Sequence, residues 1–286
     1  PLIATGMHCS PEFGLTYKEI ENDGFIINKK IEMIISADTS TSITKSTGLA
    51  MISFADAYLE LKPDLIIVLG DRYELFAASA AALFARIPIA HIHGGETTEG
   101  AFDESIRHSI TKMSWLHFTA TETYKNRVIQ LGEDPSRVFN VGGMGVDSIK
   151  KHKLLSKQEL EKKLNFIFGE KNLIITFHSV TLEKRTSKKQ FVNILTSLDK
   201  LKDTKKIFTY ANSDTNGRII NKLIIDYVKK NKSTSVAFVS MGQLNYLSTL
   251  QFVDGTVGNS SSGILEAPTF KIATVDIGDR QKGRTN

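Results

Sequence analysis

Asp71, Arg72, His93, Glu96, Asp103 and Arg107 are side chains that move protons or hold anions, gathered within one short stretch of the chain. Asp71-Arg72 follows the apolar run 65–69 and Gly70, and His93-Gly94-Gly95-Glu96 follows the apolar run 87–92. Asp103 and Arg107 stand four residues apart, so they share a helix face, where a structural pair is the commoner reading. What points to chemistry is the convergence of Asp71, Glu96, Asp103 and Glu104. Carboxylates crowded together must shift their pKa values or bind something. His91 and His93 alternate along one strand end and so point to opposite faces. With His108 and Glu96 nearby they sketch a metal site, but zinc requires three or four ligands of set geometry, and no metal is expected.

A second group lies further along. His178 ends the apolar run 173–177 and is an acid–base candidate because imidazole titrates near neutrality. The alternative is a structural histidine at a strand end. Gly258-Asn259-Ser260-Ser261-Ser262-Gly263 falls between a strand and a helix. Small residues there let backbone N–H groups and a helix N-terminus approach a phosphate, although an ordinary N-cap with a tight turn has the same residues. Glu266 suits ribose hydroxyls or a first helical turn, and Arg280 suits a phosphate or a surface pair. No Gly-x-Gly-x-x-Gly fingerprint and no Gly-Lys-Ser/Thr loop is present, which argues against dehydrogenases and P-loop NTPases.

The elements that must position these groups alternate strand and helix. Apolar runs at 65–69, 87–92 and 116–119 enclose an Ala-rich helix and the helix of Asp103, which predicts parallel strands buried on both faces. Ligands of such sheets gather at the carboxyl ends of the strands. Before them, the pattern predicts a strand at 2–5, a short helix at 16–22, a strand at 31–36, and a helix at 43–61 capped by the polar run 38–42 and stopped by Pro63. After a helix at 121–131 and a strand at 138–141, a Lys- and Glu-rich stretch marks a boundary. A second alternating run follows, with strands near 173–177, 207–210, 236–239, 257 and 272–277. The expected fold class is α/β, with Rossmann-like doubly wound domains at 1–147 and 148–286 facing across a cleft of the kind small ligands prefer.

Bulk properties narrow the function classes. The chain has 286 residues, 41% hydrophobic, 23% charged, and a net charge of +5. Its Lys-rich segments at 150–163, 184–189 and 200–206 read as solvated faces, and nucleic acid is not an expected partner. The single cysteine, Cys9, excludes an internal disulfide framework. No apolar run approaches the ~20 residues of a membrane span, and no export signal is seen, so a cytoplasmic protein without a membrane partner is expected.

Taken in order, GDRYE at 70–74, HIHGGE at 91–96, DESIRHSITK at 103–112, TFHSVT at 176–181, GNSSSGILEAP at 258–268 and IGDRQKGR at 277–284 resemble the hydrolysing UDP-N-acetylglucosamine 2-epimerases of bacterial sialic acid pathways. The resemblance spans nearly the whole chain. It implies the two-domain GT-B-like fold, a UDP-sugar substrate, neither metal nor nicotinamide as cofactor, and a homodimer or homotetramer. By position it implies that Asp71, Glu96, Asp103, Arg107 and His178 are catalytic. Arg72, His93, Asn212, Ser260, Ser261, Glu266 and Arg280 are then substrate contacts. The implied reaction is anti elimination of UDP to a 2-acetamidoglucal, then hydration to N-acetylmannosamine. It needs a base, positive charge at the diphosphate and a proton donor. Many relatives carry Glu where this chain has His93. The family's first strand and its C-terminal helices are expected to fall outside residues 1–286. Alternatives are a 2-epimerase for UDP-2,4-diacetamido-2,4,6-trideoxyglucose of the legionaminic acid branch, a GT-B glycosyltransferase, or a catalytically dead sensor of sugar nucleotides. Only an epimerase leaves solvent deuterium at C2 of a released sugar.

Overall fold

The computed structural model describes the chain except residues 36, 38, 99–101, 152, 181–185, 215 and 285–286, and the side chain of residue 148. The expected cap at Asp38, part of the 184–189 segment and the end of the 176–181 motif lie outside the described residues. The chain forms two compact units: Pro1–Met144 together with residues 282–284, and Gly145–Gln281. The end of the IGDRQKGR motif therefore belongs to the first unit, although 148–286 was expected to form the second.

In the first unit β1 (Ile3–Thr5) pairs in parallel with β2 (Lys29–Ile31), with the short helix α1 (Tyr17–Asn22) between them in sequence. A four-stranded parallel sheet follows in the order β3 (Ile66–Leu69), β4 (Ile89–Ile92), β5 (Leu116–Thr119), β6 (Val138–Asn140). The connecting helices are α2 (Ser40–Leu61), α3 (Tyr73–Phe84), α4 (Asp103–Met113) and α5 (Glu122–Gln130). Helix α2 begins where the Thr39 hydroxyl accepts the Ser42 amide at 3.2 Å, and it stops at Lys62 in the left-handed region, just before Pro63. The small residues of α3 let neighbouring helices approach closely, and Ala77, Ala78, Ala81 and Ala82 are buried with Phe54, Tyr58, Val68, Ile89 and Ile110 in one core.

One expectation fails here. The run 65–69 is not buried on both faces, since Leu65, Ile67 and Leu69 are 40%, 68% and 49% exposed while Val68 is buried. Among the described residues β3 pairs only with β4, and β1 only with β2. A cavity of about 470 Å³ is lined by both Ile3 of β1 and Val68 of β3. An apolar run encodes the wish to be covered, not the cover itself.

The second unit opens with α6 (Met144–Lys151), whose first residue marks the boundary, and α7 (Lys157–Leu164), which starts with a Ser156/Glu159 capping box. Its strands are β7 (Lys171–Thr176), β8 (Thr204–Thr209), β9 (Ser235–Phe238), β10 (Gly255–Gly258) and β11 (Ala273–Asp276). They form a five-stranded parallel sheet in the order β11-β10-β7-β8-β9. Helices α8 (Ser187–Leu198), α9 (Gly217–Lys230), α10 (Gly242–Leu250) and the single turn α11 (Ser262–Leu265) complete it. Alternate residues of the central strands serve different cores, as the period of two requires. Ile174 and Ile207 pack with Leu160, Leu247 and Leu250, whereas Ile175 and Phe208 pack with Phe191, Ile220 and Ile224. These central strands are covered on both faces, as the sequence pattern predicts. Among the described residues no helix is long and apolar enough to cross a membrane.

Gly258 ends β10 at φ +143°, and a Cβ there would lie 1.8 Å from the Thr176 carbonyl oxygen of β7. Only glycine admits that approach. Gly258→Ala should therefore destabilise the second unit by about 2–5 kcal/mol, combining backbone strain with overpacking. Hydrogen exchange at the β7 and β10 amides measures this, with protection falling there while the first unit keeps its own.

Candidate active site

The polar side chains of the first unit meet at the carboxyl ends of β3 and β4. Arg107, from the second turn of α4, is only 2% exposed. Its Nη2 donates to Asp71 Oδ2, its Nη1 donates to the His93 carbonyl at 2.8 Å, and Glu96 Oε2 lies 3.4 Å from Nη1. The spacing of Asp103 and Arg107 suggested a pair within one helix. Instead the guanidinium turns to the strand ends and ties Asp71 and Glu96 together. Asp103 is buried in the first turn of α4, and Arg72 is the N-cap residue of α3 with Nε 3.4 Å from Glu74. Glu104 leaves the cluster, accepting the Thr98 amide at 3.0 Å.

Glu96 is 2% exposed and has three cationic or donor neighbours. His93 Nδ1 lies 2.6 Å from Oε1, and Arg284 Nη1 lies 3.0 Å from Oε2 beside Arg107. Burial alone would raise its pKa, but the His93 hydrogen bond and the two guanidinium groups prevail and hold it below the usual carboxylate range. Arg284 arrives with the terminal segment, where the Thr97 hydroxyl donates to the Gly283 carbonyl.

His91 is not a metal ligand in waiting. Its Nε2 lies 2.8 Å from the Gly70 carbonyl, which it can only donate to, so its Nδ1 accepts the Thr111 hydroxyl at 3.1 Å. Burial holds the imidazole neutral, with its pKa lowered to about 3. The residue fastens the Gly70 turn, and with it Asp71, to β4 and α4.

In the second unit the neighbouring strand ends β10, β7 and β8 deliver Asn259, His178 and Asn212. Asn259 is fully buried, and its side chain accepts the His178 amide at 2.7 Å while donating to the His178 carbonyl at 2.8 Å. The amide thus continues the sheet past the last residue of β7. His178 Nδ1 accepts the Asn212 amide at 3.2 Å, so the neutral ring carries its proton on Nε2. The Asn259 carbonyl receives Arg280 Nη1 at 3.3 Å and Gln281 Nε2 at 2.7 Å. Ser260 and Ser261 are half-buried in the turn after β10, and the Tyr246 hydroxyl donates to Ser262 at 2.6 Å. Glu266 is half-buried at the end of α11, close enough to α6 that a Cβ on Gly145 would lie 2.7 Å from its Oε1. The helix expected after the serines is a four-residue turn that passes into a 3-10 turn at Ala267–Phe270. It therefore offers little aligned dipole, and Arg280 brings a cation to these strand ends.

The model of the family described as UDP-N-acetylglucosamine 2-epimerase matches residues 1–286. The chain belongs to that family. It is 47% identical over 283 residues to the GDP/UDP-N,N'-diacetylbacillosamine 2-epimerase (hydrolyzing) of Campylobacter jejuni subsp. jejuni, covering 99% of this chain and 73% of that one. It is 42% identical over 284 residues to the polysialic acid biosynthesis protein P7 of Escherichia coli, covering 99% and 72%. Among solved structures, the UDP-GlcNAc 2-epimerase from Neisseria meningitidis bound to UDP-GlcNAc matches with a TM-score of 0.71 at 17% identity, covering 98% of this chain and 83% of that one. Such low identity speaks to the fold alone, which is that of the GT-B-like 2-epimerases.

Within this family member, sequence reasoning singled out Asp71, Arg72, His93, Glu96, Asp103, Arg107, His178, Asn212, Ser260, Ser261, Glu266 and Arg280. The structure places the first six in unit one and the rest in unit two. It adds Arg284, Asn259 and Gln281, all within the GNSSSGILEAP and IGDRQKGR motifs, so the motif itself was the available signal.

The first unit should be acid-sensitive. His91, His108 and His117 all have pKa values lowered by burial, so below about pH 6.5 the unfolded chain binds protons that the folded one refuses. Their contribution is complete above that pH and is lost as pH falls towards the His91 value of about 3. Each fully coupled histidine adds a slope of up to about 1.4 kcal/mol per pH unit. Urea unfolding followed through Trp115 between pH 4 and 7 measures it, and His91→Asn should flatten the curve.

Proposed function

We propose that this chain is a hydrolysing 2-epimerase acting on UDP-2,4-diacetamido-2,4,6-trideoxyglucose, the sugar nucleotide also called UDP-N,N'-diacetylbacillosamine. The carrying observation is the 47% identity, across 99% of the chain, to a relative named for the GDP- or UDP-linked form of that sugar. The arrangement of the strand ends supports the reaction class. The first unit supplies carboxylates and an imidazole for proton transfer. The second supplies small residues and Arg280 for a nucleoside diphosphate. A base removes the C2 proton as the C1–O bond breaks, the C–H pair becomes a C1=C2 double bond, and the C1–O pair departs with UDP. Water then adds hydroxyl to C1 and a proton to C2, giving 2,4-diacetamido-2,4,6-trideoxymannose. In this reading Asp71, Asp103, Arg107 and His178 serve the proton transfers, and Ser260, Ser261, Glu266 and Arg280 hold UDP. The substrate differs from UDP-N-acetylglucosamine in lacking the 6-hydroxyl and carrying an acetamido group at C4. The 42% identity to the polysialic acid protein keeps UDP-N-acetylglucosamine as the second reading.

Incubation with each sugar nucleotide in D₂O, followed by NMR, tests this. The expected result is UDP release with deuterium at C2, and kcat/KM at least ~100-fold higher for the diacetamido sugar, the scale that polar contacts and their absence can impose. Preference for UDP-N-acetylglucosamine would establish the second reading, and UDP transfer chemistry without deuterium at C2 would overturn both.

Arg280→Ala should weaken UDP binding by about tenfold or more in isothermal titration, the scale of a charge-assisted phosphate contact. Unchanged affinity would remove Arg280 from the nucleotide site.

A further inference from the structure

His93 is held in an uncommon backbone conformation, at φ +65°. Non-glycine residues enter that region at a cost, and remain there when their surroundings over-determine it. Its amide donates to the Phe118 carbonyl at 2.8 Å, and its carbonyl accepts Arg107 Nη1 at 2.8 Å. Gly94 and Gly95 then turn the chain sharply. Gly95 has φ +80°, and a Cβ on it would lie 2.3 Å from the Tyr124 carbonyl. This turn brings Glu96 back beneath the imidazole, where Oε1 lies 2.6 Å from Nδ1.

The consequence is chemical. A buried carboxylate accepting from Nδ1–H fixes the tautomer and leaves the lone pair on Nε2, as orienting carboxylates do for other reactive imidazoles. His93 Nε2 has no hydrogen-bond partner among the described residues, and the side chain is 14% exposed. Glu96, by contrast, is 3% exposed at its side chain and already bound by His93, Arg107 and Arg284. A carboxylate so engaged has little basicity left to offer a substrate.

We propose that His93 is a further proton-transfer residue of the first unit, the one that takes the C2 proton on Nε2, and that Glu96 is its positioning residue. This rests on the 2-epimerase reading. In the elimination the C2 proton passes to Nε2, the C–H electron pair forms the C1=C2 bond, and the C1–O pair leaves with the nucleotide. The imidazolium so formed is balanced by the Glu96 carboxylate. The other charged or titratable groups around it are Arg107 from α4 with its partner Asp71, Arg284 from the terminal segment, and His91 on the same strand. The role sequence reasoning gave to Glu96 thus moves to the residue three positions earlier, and the glutamate acts through it.

The test uses variants that respect the backbone. Glycine and asparagine tolerate positive φ. His93→Asn and His93→Gly should lose turnover by ~100-fold or more with KM within a few-fold, the range for removing a general base. Added imidazole should restore at least about tenfold to His93→Gly only if the ring acts as a base. Glu96→Gln should lower kcat by about tenfold with KM within a few-fold, and should lose the Nδ1–H tautomer in nitrogen-15 NMR, because the carboxylate no longer holds that proton. Glu96→Asp should recover part of both. Turnover of His93→Asn within threefold of wild type would overturn the proposal, as would Glu96→Gln failing as completely as His93→Asn with the ring tautomer unchanged. If the wild type releases UDP from neither sugar, the 2-epimerase reading fails, and nitrogen-15 NMR decides the dyad. Nδ1–H with bare Nε2, lost in Glu96→Gln, supports it. A ring protonated on Nε2, or one indifferent to Glu96, overturns it.

Discussion

A guanidinium buried to 2% exposure cannot be left without anionic and carbonyl neighbours, and Arg107 sets the terms for everything around it. It draws Asp71 from the end of β3, Glu96 from the loop after β4 and the His93 carbonyl into one fan of contacts. Removing either carboxylate would leave a charge uncompensated in the interior. Arg284 repeats the logic from the other end of the chain, since its charge also falls on Glu96. The site is therefore rigid for electrostatic reasons, and the helix that bears Arg107 is fixed to the sheet by the same contacts that shape the chemistry.

In the second unit a different kind of contact fastens the strand ends. There the fastening is a neutral amide. Asn259 closes two hydrogen bonds with the main chain of His178, and its own carbonyl gathers Arg280 and Gln281. A neutral clasp adds no charge of its own beside Arg280, whose Nη1 it holds through the Asn259 carbonyl. The Arg107 fastening in the first unit is ionic, and this one is a neutral amide.

Much of this was legible beforehand. Alternating apolar runs and helices, with polar residues at the run ends, predict parallel sheets and place Asp71, His93, Glu96, His178 and Ser260 at carboxyl ends. What escaped was anything decided by distance along the chain. Spacing suggested Asp103 for Arg107, but the guanidinium reaches Asp71, which lies 36 residues away. Arg284 meets Glu96 across nearly the whole sequence, and no local pattern records such a contact. The run 65–69 showed apolarity but not coverage, and the serine-rich turn predicted a helix that lasts one turn. In the sequence, His91 and His93 stand together only as parts of a sketched metal site. Only the positions of Gly70 and Thr111 reveal that both nitrogens of His91 are engaged.

The Asn259 clasp also bears on the order in which the protein can be made. β7 finds β8 at a separation of 33 residues, but the clasp spans 81. Contacts so far apart form late, because the loop between them must be closed before they return any stabilisation. As the chain leaves the ribosome, His178 emerges long before the residue that will hold it. Its backbone acquires its final form only when β10 slots in beside β7, so the strand that brings Asn259 also sets His178. A unit arrested short of that step would carry the right residues with nothing to aim them.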